Sequence, residues 1–321
     1  MKKSKKNDSK YRCALLPYKR EDCLSIQDAK QKAGWGISAF ELPATWQHME
    51  GEGVTIAVLD TGCDLDHPDL KENLLEGINF VDRDKPPIDD NGHSTHVIGI
   101  LVAANNDIGM VGVCPKAKVR PVKVLNSKGD GNLLTVAEGV RWAADQGVDF
   151  ITMSLGSPFK AQEVRKAIQY AASKNVVTFC AAGNAGKTSE IYYPANYPET
   201  VAIGAIDENF FRASFSNTGQ NLDFMAPGVD IFSTVPDDWY ATLSGTSMAC
   251  PFAVGVAALL LSYVKAGKAN YVLKTNNDYI EIFKKYVTPL KNNNYADPQF
   301  YSGFGIIDPR KMLEFIAHNP S

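Results

Sequence analysis

The chain has 321 residues, 45% of them hydrophobic and 21% charged, with 25 glycines, 17 prolines and a formal charge of -3 at pH 7. That balance suits one large or two small globular domains with an ample core and excludes pervasive disorder. It also excludes the strongly basic footprint of a nucleic-acid binder, although five of the first ten residues, MKKSKKNDSK, are lysine.

The lysine-rich start reads as a solvated end. The longest apolar run behind it, CALL, falls short of the ~7 to 15 residues of a signal-peptide core. Further on, AVGVAALLLSYV is too short for a bilayer span and ends in lysine, so no membrane association is expected. Six cysteines, Cys13, Cys23, Cys63, Cys114, Cys180 and Cys250, show no framework spacing. Without an export signal they read as reduced thiols of a cytoplasmic protein.

From residue 54 short apolar runs rich in β-branched residues alternate with helical patterns. VTIAVL (54–59), VRPVKVL (119–125), VDFITMSL (148–155), VVTFCAA (176–182) and TVAIGA (200–205) are apolar on both faces, as strands of a buried parallel sheet must be. Between them, LLTVAEGVRWAADQG places Leu134, Ala137, Val140 and Ala144 on one face, and AQEVRKAIQYAASK does so with Val164, Ala167, Ile168 and Ala171. The run predicts a doubly wound α/β domain, a mostly parallel sheet with helices on both faces, whose ligands sit beyond the carboxyl ends of the strands. The first 30 residues and roughly the last 55 are less regular.

Asp60-Thr61-Gly62 and Gly183-Asn184 follow two of these strands directly. Two further stretches join polar residues to apolar elements, NGHSTHVIGILVAA (91–104) and SGTSMACP (244–251). An Asp, a His and a Ser so placed are the parts of nucleophilic acyl transfer: the hydroxyl needs a base, and the base needs an orienting carboxylate. By composition alone, Asp-Thr-Gly is also an aspartic-protease signature, a lone His is usually structural, and the two histidines of HSTH could instead begin a metal site.

VLDTGCDLDHPDL, NGHSTHVIG, AAGN and SGTSMACP, in that order, resemble the signature blocks of the subtilisin family, closest to the intracellular subtilisins, over about residues 31 to 309. The resemblance implies a serine endopeptidase with Asp60 as orienting acid, His93 as general base, Ser247 as nucleophile and Asn184 as oxyanion donor beside the Ser247 N–H. His96, one helical turn on from His93, is expected to point elsewhere. Placing Ser247 at a helix N-terminus suits developing negative charge, and Pro251 is expected in the first turn, where N–H groups have no intrahelical partner.

By the same resemblance an extended polypeptide substrate adds as a strand between Ser154-Leu155-Gly156 and Gly129-Asp130-Gly131. Its primary specificity pocket is walled by Ala181, Ala182 and Gly183, with Tyr192 at the base. A structural Ca²⁺ site is implied, with side-chain ligands Gln31, Asp69 and Asn106 and carbonyls of Ala104, Ile108 and Met110; an ordinary Asn-Asp turn is the alternative. Residues 1–30 correspond to the short N-terminal extension of the intracellular subtilisins, with Leu15-Leu16-Pro17-Tyr18 in place of Leu-Ile-Pro-Tyr, and residues 31–321 to the catalytic domain. Lying in the cleft, such an extension makes the chain a zymogen, with Pro17 keeping the nearby bond from Ser247; a strand that merely packs on the domain is the alternative. A homodimer is also implied.

Three residues depart from the family pattern: Ser94 replaces a glycine, Phe252 a histidine, and Cys250 an alanine or serine. They leave two other readings open, a peptide-binding relative with impaired catalysis and a narrow peptidase that matures one partner. Cys63 and Cys250 lie three residues beyond Asp60 and Ser247, and bulky mercurials are expected to inhibit through them unless both are buried.

Overall fold

A computed structural model describes residues 12–17, 19–25, 30–188, 190–291, 297–311 and 314. The chain opens with β1 (Arg12–Leu15) and β2 (Lys19–Ser25), then α1 (Trp35–Ala39) and α2 (Leu42–Trp46). An alternating stretch follows: β3 (Thr55–Asp60), β4 (Ile78–Asn79), α3 (His93–Val102), β5 (Lys118–Lys123), β6 (Asp130–Asn132), α4 (Leu133–Asp145), β7 (Phe150–Met153), β8 (Leu155–Gly156), α5 (Gln162–Ser173), β9 (Val177–Ala181) and β10 (Val201–Ile206). The last part holds β11 (Phe224–Pro227), β12 (Ile231–Val235), β13 (Trp239–Ser244), α6 (Thr246–Lys265), α7 (Asn276–Phe283), β14 (Val287–Thr288), α8 (Pro298–Ser302) and β15 (Ile306–Ile307).

Nine strands form one sheet in the order β14-β15-β11-β10-β9-β7-β3-β5-β4. Its pairs are parallel except β14 with β15 at one edge. The five expected strands are all in it, and they are apolar on both sides because α3 and α6 pack on one face and α4 and α5 on the other. Strand order reverses at β3, which has β5 on one side and β7 on the other, so Asp60 ends a strand at the switch point where open α/β sheets form their crevice.

Three sequence expectations need correction. In α4 the buried side is set by Leu133, Val136, Ala137, Val140, Ala143 and Ala144, while Leu134 is 42% exposed; Asn132 caps this helix by accepting from Leu134 N–H at 2.8 Å. The apolar run after Ser247 is part of a 20-residue helix, α6, long and apolar enough by length and composition to cross a membrane. Here its side chains are buried almost throughout, in contact with α3, β9 and β10. Pro251 is the sixth residue of α6, beyond the first turn, and so leaves the Ser247 carbonyl without its helical donor. The hydroxyl of Ser154 donates to that carbonyl instead, at 2.9 Å.

Candidate active site

Asp60 ends β3, His93 opens α3 and Ser247 is the second residue of α6; all three are fully buried. His93 Nδ1 lies 2.9 and 3.0 Å from the two carboxylate oxygens of Asp60. An ionised carboxylate only accepts, so Nδ1 carries a proton and Nε2 is the basic nitrogen of the neutral ring. The Thr61 N–H fixes the carboxylate from behind, donating to Asp60 Oδ1 at 2.8 Å. The Ser247 hydroxyl donates to the Ser154 carbonyl at 3.2 Å, so residues 154 and 247 exchange hydrogen bonds in both directions.

Asn184 is aimed by residues beside the serine. Its Oδ1 accepts from the N–H and hydroxyl of Thr246 at 2.8 and 2.6 Å, which turns Nδ2 outward. Gly245 makes room for this, since a Cβ there would lie 2.9 Å from Asn184 Nδ2. That Nδ2 donates to the carbonyl of Pro17 at 2.7 Å.

The N-terminal strand lies where sequence reasoning put a substrate. β1 is the middle strand of a three-stranded antiparallel sheet between β6 and β8, with Cys13 opposite Gly131, Ala14 opposite both Asp130 and Gly156, and Leu15 opposite Leu155. Leu15 N–H also donates to Gly129 O at 2.9 Å. Leu16 is 2% exposed. A Cβ on Gly156 would meet Leu16 Cδ2 at 2.9 Å and Tyr192 Cβ at 3.3 Å, and one on Gly183 would meet the Tyr192 ring at 3.3 Å. Leu16 and Tyr192 therefore meet over Gly156, and the Tyr192 ring also borders Gly183; Ala181 and Ala182 are buried at the end of β9. A cavity of about 840 Å³ continues along β1, lined in part by Cys13, Phe80, Val124, Asn126 and Phe159. Tyr18 lies outside the described residues.

β2 continues the contact on the far side, pairing antiparallel with β13, the strand that leads into Ser247. His96 points away from the cleft, its Nε2 lying 3.0 and 3.1 Å from the carbonyls of Ile231 and Ala241. Cys63 and Cys250 are buried, and burial raises both thiols, that of Cys250 to about 12. Their burial is the condition under which inhibition by mercurials is not expected.

The residues expected to hold calcium are brought together. Gln31 Nε2 donates to Ala104 O at 2.9 Å and Met110 O at 3.4 Å. Asn106 Nδ2 donates to Asp69 Oδ1 at 2.9 Å, while Met110 N–H and the Tyr240 hydroxyl take Asp69 Oδ2 at 3.1 and 2.8 Å. The Ile108 N–H returns to Asn106 Oδ1 at 3.2 Å. Burial raises the Asp69 carboxyl above its usual range despite these donors.

Sequence reasoning missed Asp89, a buried carboxylate beside the His93 loop, and Lys123, a buried cation held by Asp90 and the Thr61 carbonyl. An Asp four residues ahead of the histidine that opens a helix was the available signal for the first.

Residues 51–305 match the subtilase family. The chain is 44% identical to an intracellular serine protease of Paenibacillus polymyxa, over 72% of this chain and 73% of that protein. It is 45% identical to Subtilisin Savinase of Lederbergia lenta over 72% and 84% of the two chains. With Subtilisin E of Bacillus subtilis (strain 168) it shares 40% identity over 91% and 74%.

Proposed function

The chain belongs to the subtilase family and is a serine protease acting on polypeptides, and from that premise we propose an endopeptidase that works through an acyl-enzyme and is held in check by its own N-terminal strand. The His93–Asp60 hydrogen bond, with Ser247 at the start of α6, carries the catalytic part. Ser247 Oγ attacks the scissile carbonyl while its proton passes to His93 Nε2, and Asp60 stabilises the resulting imidazolium through Nδ1. The oxyanion is received by Asn184 Nδ2 and by the N–H of Ser247 at the start of α6. His93 returns the proton to the leaving amine, leaving an ester on Ser247. Water then attacks that ester with His93 as base again, releasing the carboxylic acid and restoring the hydroxyl. A phosphonofluoridate probe should label wild-type protein and not Ser247→Ala; wild-type protein that never labels would refute this reading and favour a peptide-binding relative.

The arrangement of Leu16 and Pro17 carries the inhibitory part. In a substrate, the residue that fills the pocket is also the one whose carbonyl meets the oxyanion donor. Here Leu16, buried against Gly156 beside Tyr192, is the residue that would fill the pocket, while Asn184 holds the carbonyl of Pro17, one residue on. The Leu16–Pro17 bond is thus displaced from the attack position, and Pro17, with fixed φ and no N–H, favours that displacement.

The cluster of Gln31, Asp69, Asn106 and the carbonyls of Ala104 and Met110 supports the calcium reading. Turning over the amides of Gln31 and Asn106 would present their oxygens, with those of Asp69, Ala104, Ile108 and Met110, to one hard cation. When bound, the ion supplies a charge that ties the loop at residues 104–110 to Gln31. A reducing compartment suits Cys13, Cys63, Cys114, Cys180 and Cys250, all free and buried.

A further inference from the structure

Asp60 and His93 stand on different elements, so their hydrogen bond depends on how the end of β3 is held to the start of α3. α3 begins after Gly92, whose φ of 102° suits glycine and which has no side chain to cap the helix. The unpaired N–H groups of the first turn find acceptors elsewhere. Ser94 N–H donates to Thr61 Oγ1 at 3.1 Å, and Thr95 N–H to Asp89 Oδ2 at 2.9 Å. The Thr61 hydroxyl in turn donates to Asp89 Oδ1 at 2.8 Å. Asp89 also accepts from the N–H groups of Asn91 and Gly92 at 3.1 and 2.9 Å and from the Thr95 hydroxyl at 2.7 Å.

One carboxylate, 5% exposed, therefore takes five donors. Four come from the loop and first turn that carry His93. The fifth comes from Thr61, whose own N–H orients Asp60. These contacts close a ring that runs from Asp60 through Thr61 and Asp89 to the first turn of α3, and back through the His93–Asp60 bond. Lys123 braces the ring from outside, donating to Thr61 O at 2.5 Å and to Asp90 Oδ1 at 2.6 Å.

We propose that Asp89, acting through Thr61, is a positioning residue that holds the His93 imidazole and the Asp60 carboxylate in working alignment. This rests on the acyl-transfer reading above. Asp89 supplies the cap that Gly92 cannot, and it is hydrogen-bonded to Thr61, the residue next to the orienting acid. Asp89→Asn keeps the shape but sets an amide donor against the donors on Oδ2. Thr61→Val removes the hydroxyl link at almost constant volume, and Thr61→Ser restores it. A displacement of the base on the order of 1 Å costs about 100-fold in rate.

The test uses the full-length chain and a small chromogenic peptide at saturating concentration, where competition from the docked N-terminal strand no longer limits kcat. Asp89→Asn and Thr61→Val should each lower kcat by about 10- to 100-fold with KM within about twofold, and should weaken the low-field proton resonance of His93 Nδ1. Thr61→Ser should restore both. If Asp89→Asn does not fold, the two Thr61 variants decide alone. The proposal is overturned if kcat of Thr61→Val stays within about threefold of wild type, or if Thr61→Ser is as slow as Thr61→Val with the resonance unchanged. Phosphonofluoridate labelling of wild type at Ser247 shows that such a result strikes this proposal alone; absence of that labelling removes the reading beneath it.

Discussion

Asn184 donates its side-chain amide at 2.7 Å to the carbonyl of Pro17, 167 positions earlier in the chain. The same amide is turned outward by Thr246, the neighbour of Ser247, so the amide proposed to receive the oxyanion is occupied by the protein's own backbone.

Weakening that docking should release activity. Burying a leucine side chain contributes about 1.5 to 3 kcal/mol, and Leu16 is almost completely buried. Leu16→Ala is expected to raise turnover of a small peptide at low substrate concentration about tenfold, as is removal of residues 1–17. Cys13 reports the same event, because its thiol, raised to about 12 by burial in the docked strand, should alkylate faster in Leu16→Ala. Equal turnover by wild type and both variants would make β1 a packing strand and not an inhibitor.

Calcium should stabilise the fold. An ion that binds only the native state adds RT ln(1 + [L]/Kd), about 2.7 kcal/mol at 100 times Kd. The melting temperature of wild type should climb with millimolar calcium and fall with chelator, whereas Asp69→Asn and Gln31→Ala should respond much less. A wild-type melt indifferent to calcium would dispose of the site.

Ser94 carries a fully buried hydroxyl with no hydrogen-bond partner among the described residues. Removing an unsatisfied buried polar group recovers its desolvation cost. Ser94→Ala should therefore stabilise the protein by about 1 kcal/mol, or about 2 °C in Tm. Differential scanning calorimetry decides this, and a lower Tm would mean that the hydroxyl has a native role.

Asp223 gives the stability a predictable pH dependence. Burial raises its carboxyl to about 6, against the opposing effects of the Ala202 N–H, which donates to it at 2.8 Å, and of Lys284. A raised carboxyl favours folding while protonated, so its contribution is complete below the ordinary value of 3.8 and is lost as pH rises through about 6. The stability of wild type relative to Asp223→Asn should fall by roughly 1 to 2 kcal/mol between about pH 4 and pH 7. Urea midpoints for the two proteins that stay parallel across this range would contradict it.

The sequence by itself determined the parallel sheet, the helix faces of α5 and the edge on which Asp60 and Asn184 stand, because buried strands and amphipathic helices write their period into neighbouring residues. Tertiary structure decided what depends on distant partners. Leu134 is exposed because α4 turns Leu133 and Val136 to the sheet, a choice of register that local periodicity leaves open. Pro251 is accommodated in the second turn of α6 by the Ser154 hydroxyl, 97 positions away. Asp89 gathers five donors from the turn after β3, the loop before α3 and the first turn of α3, and no spacing in the chain encodes their convergence. Nor does any spacing say that Asn184 meets the Pro17 carbonyl, since that contact follows from two strand registers formed with residues more than a hundred positions downstream.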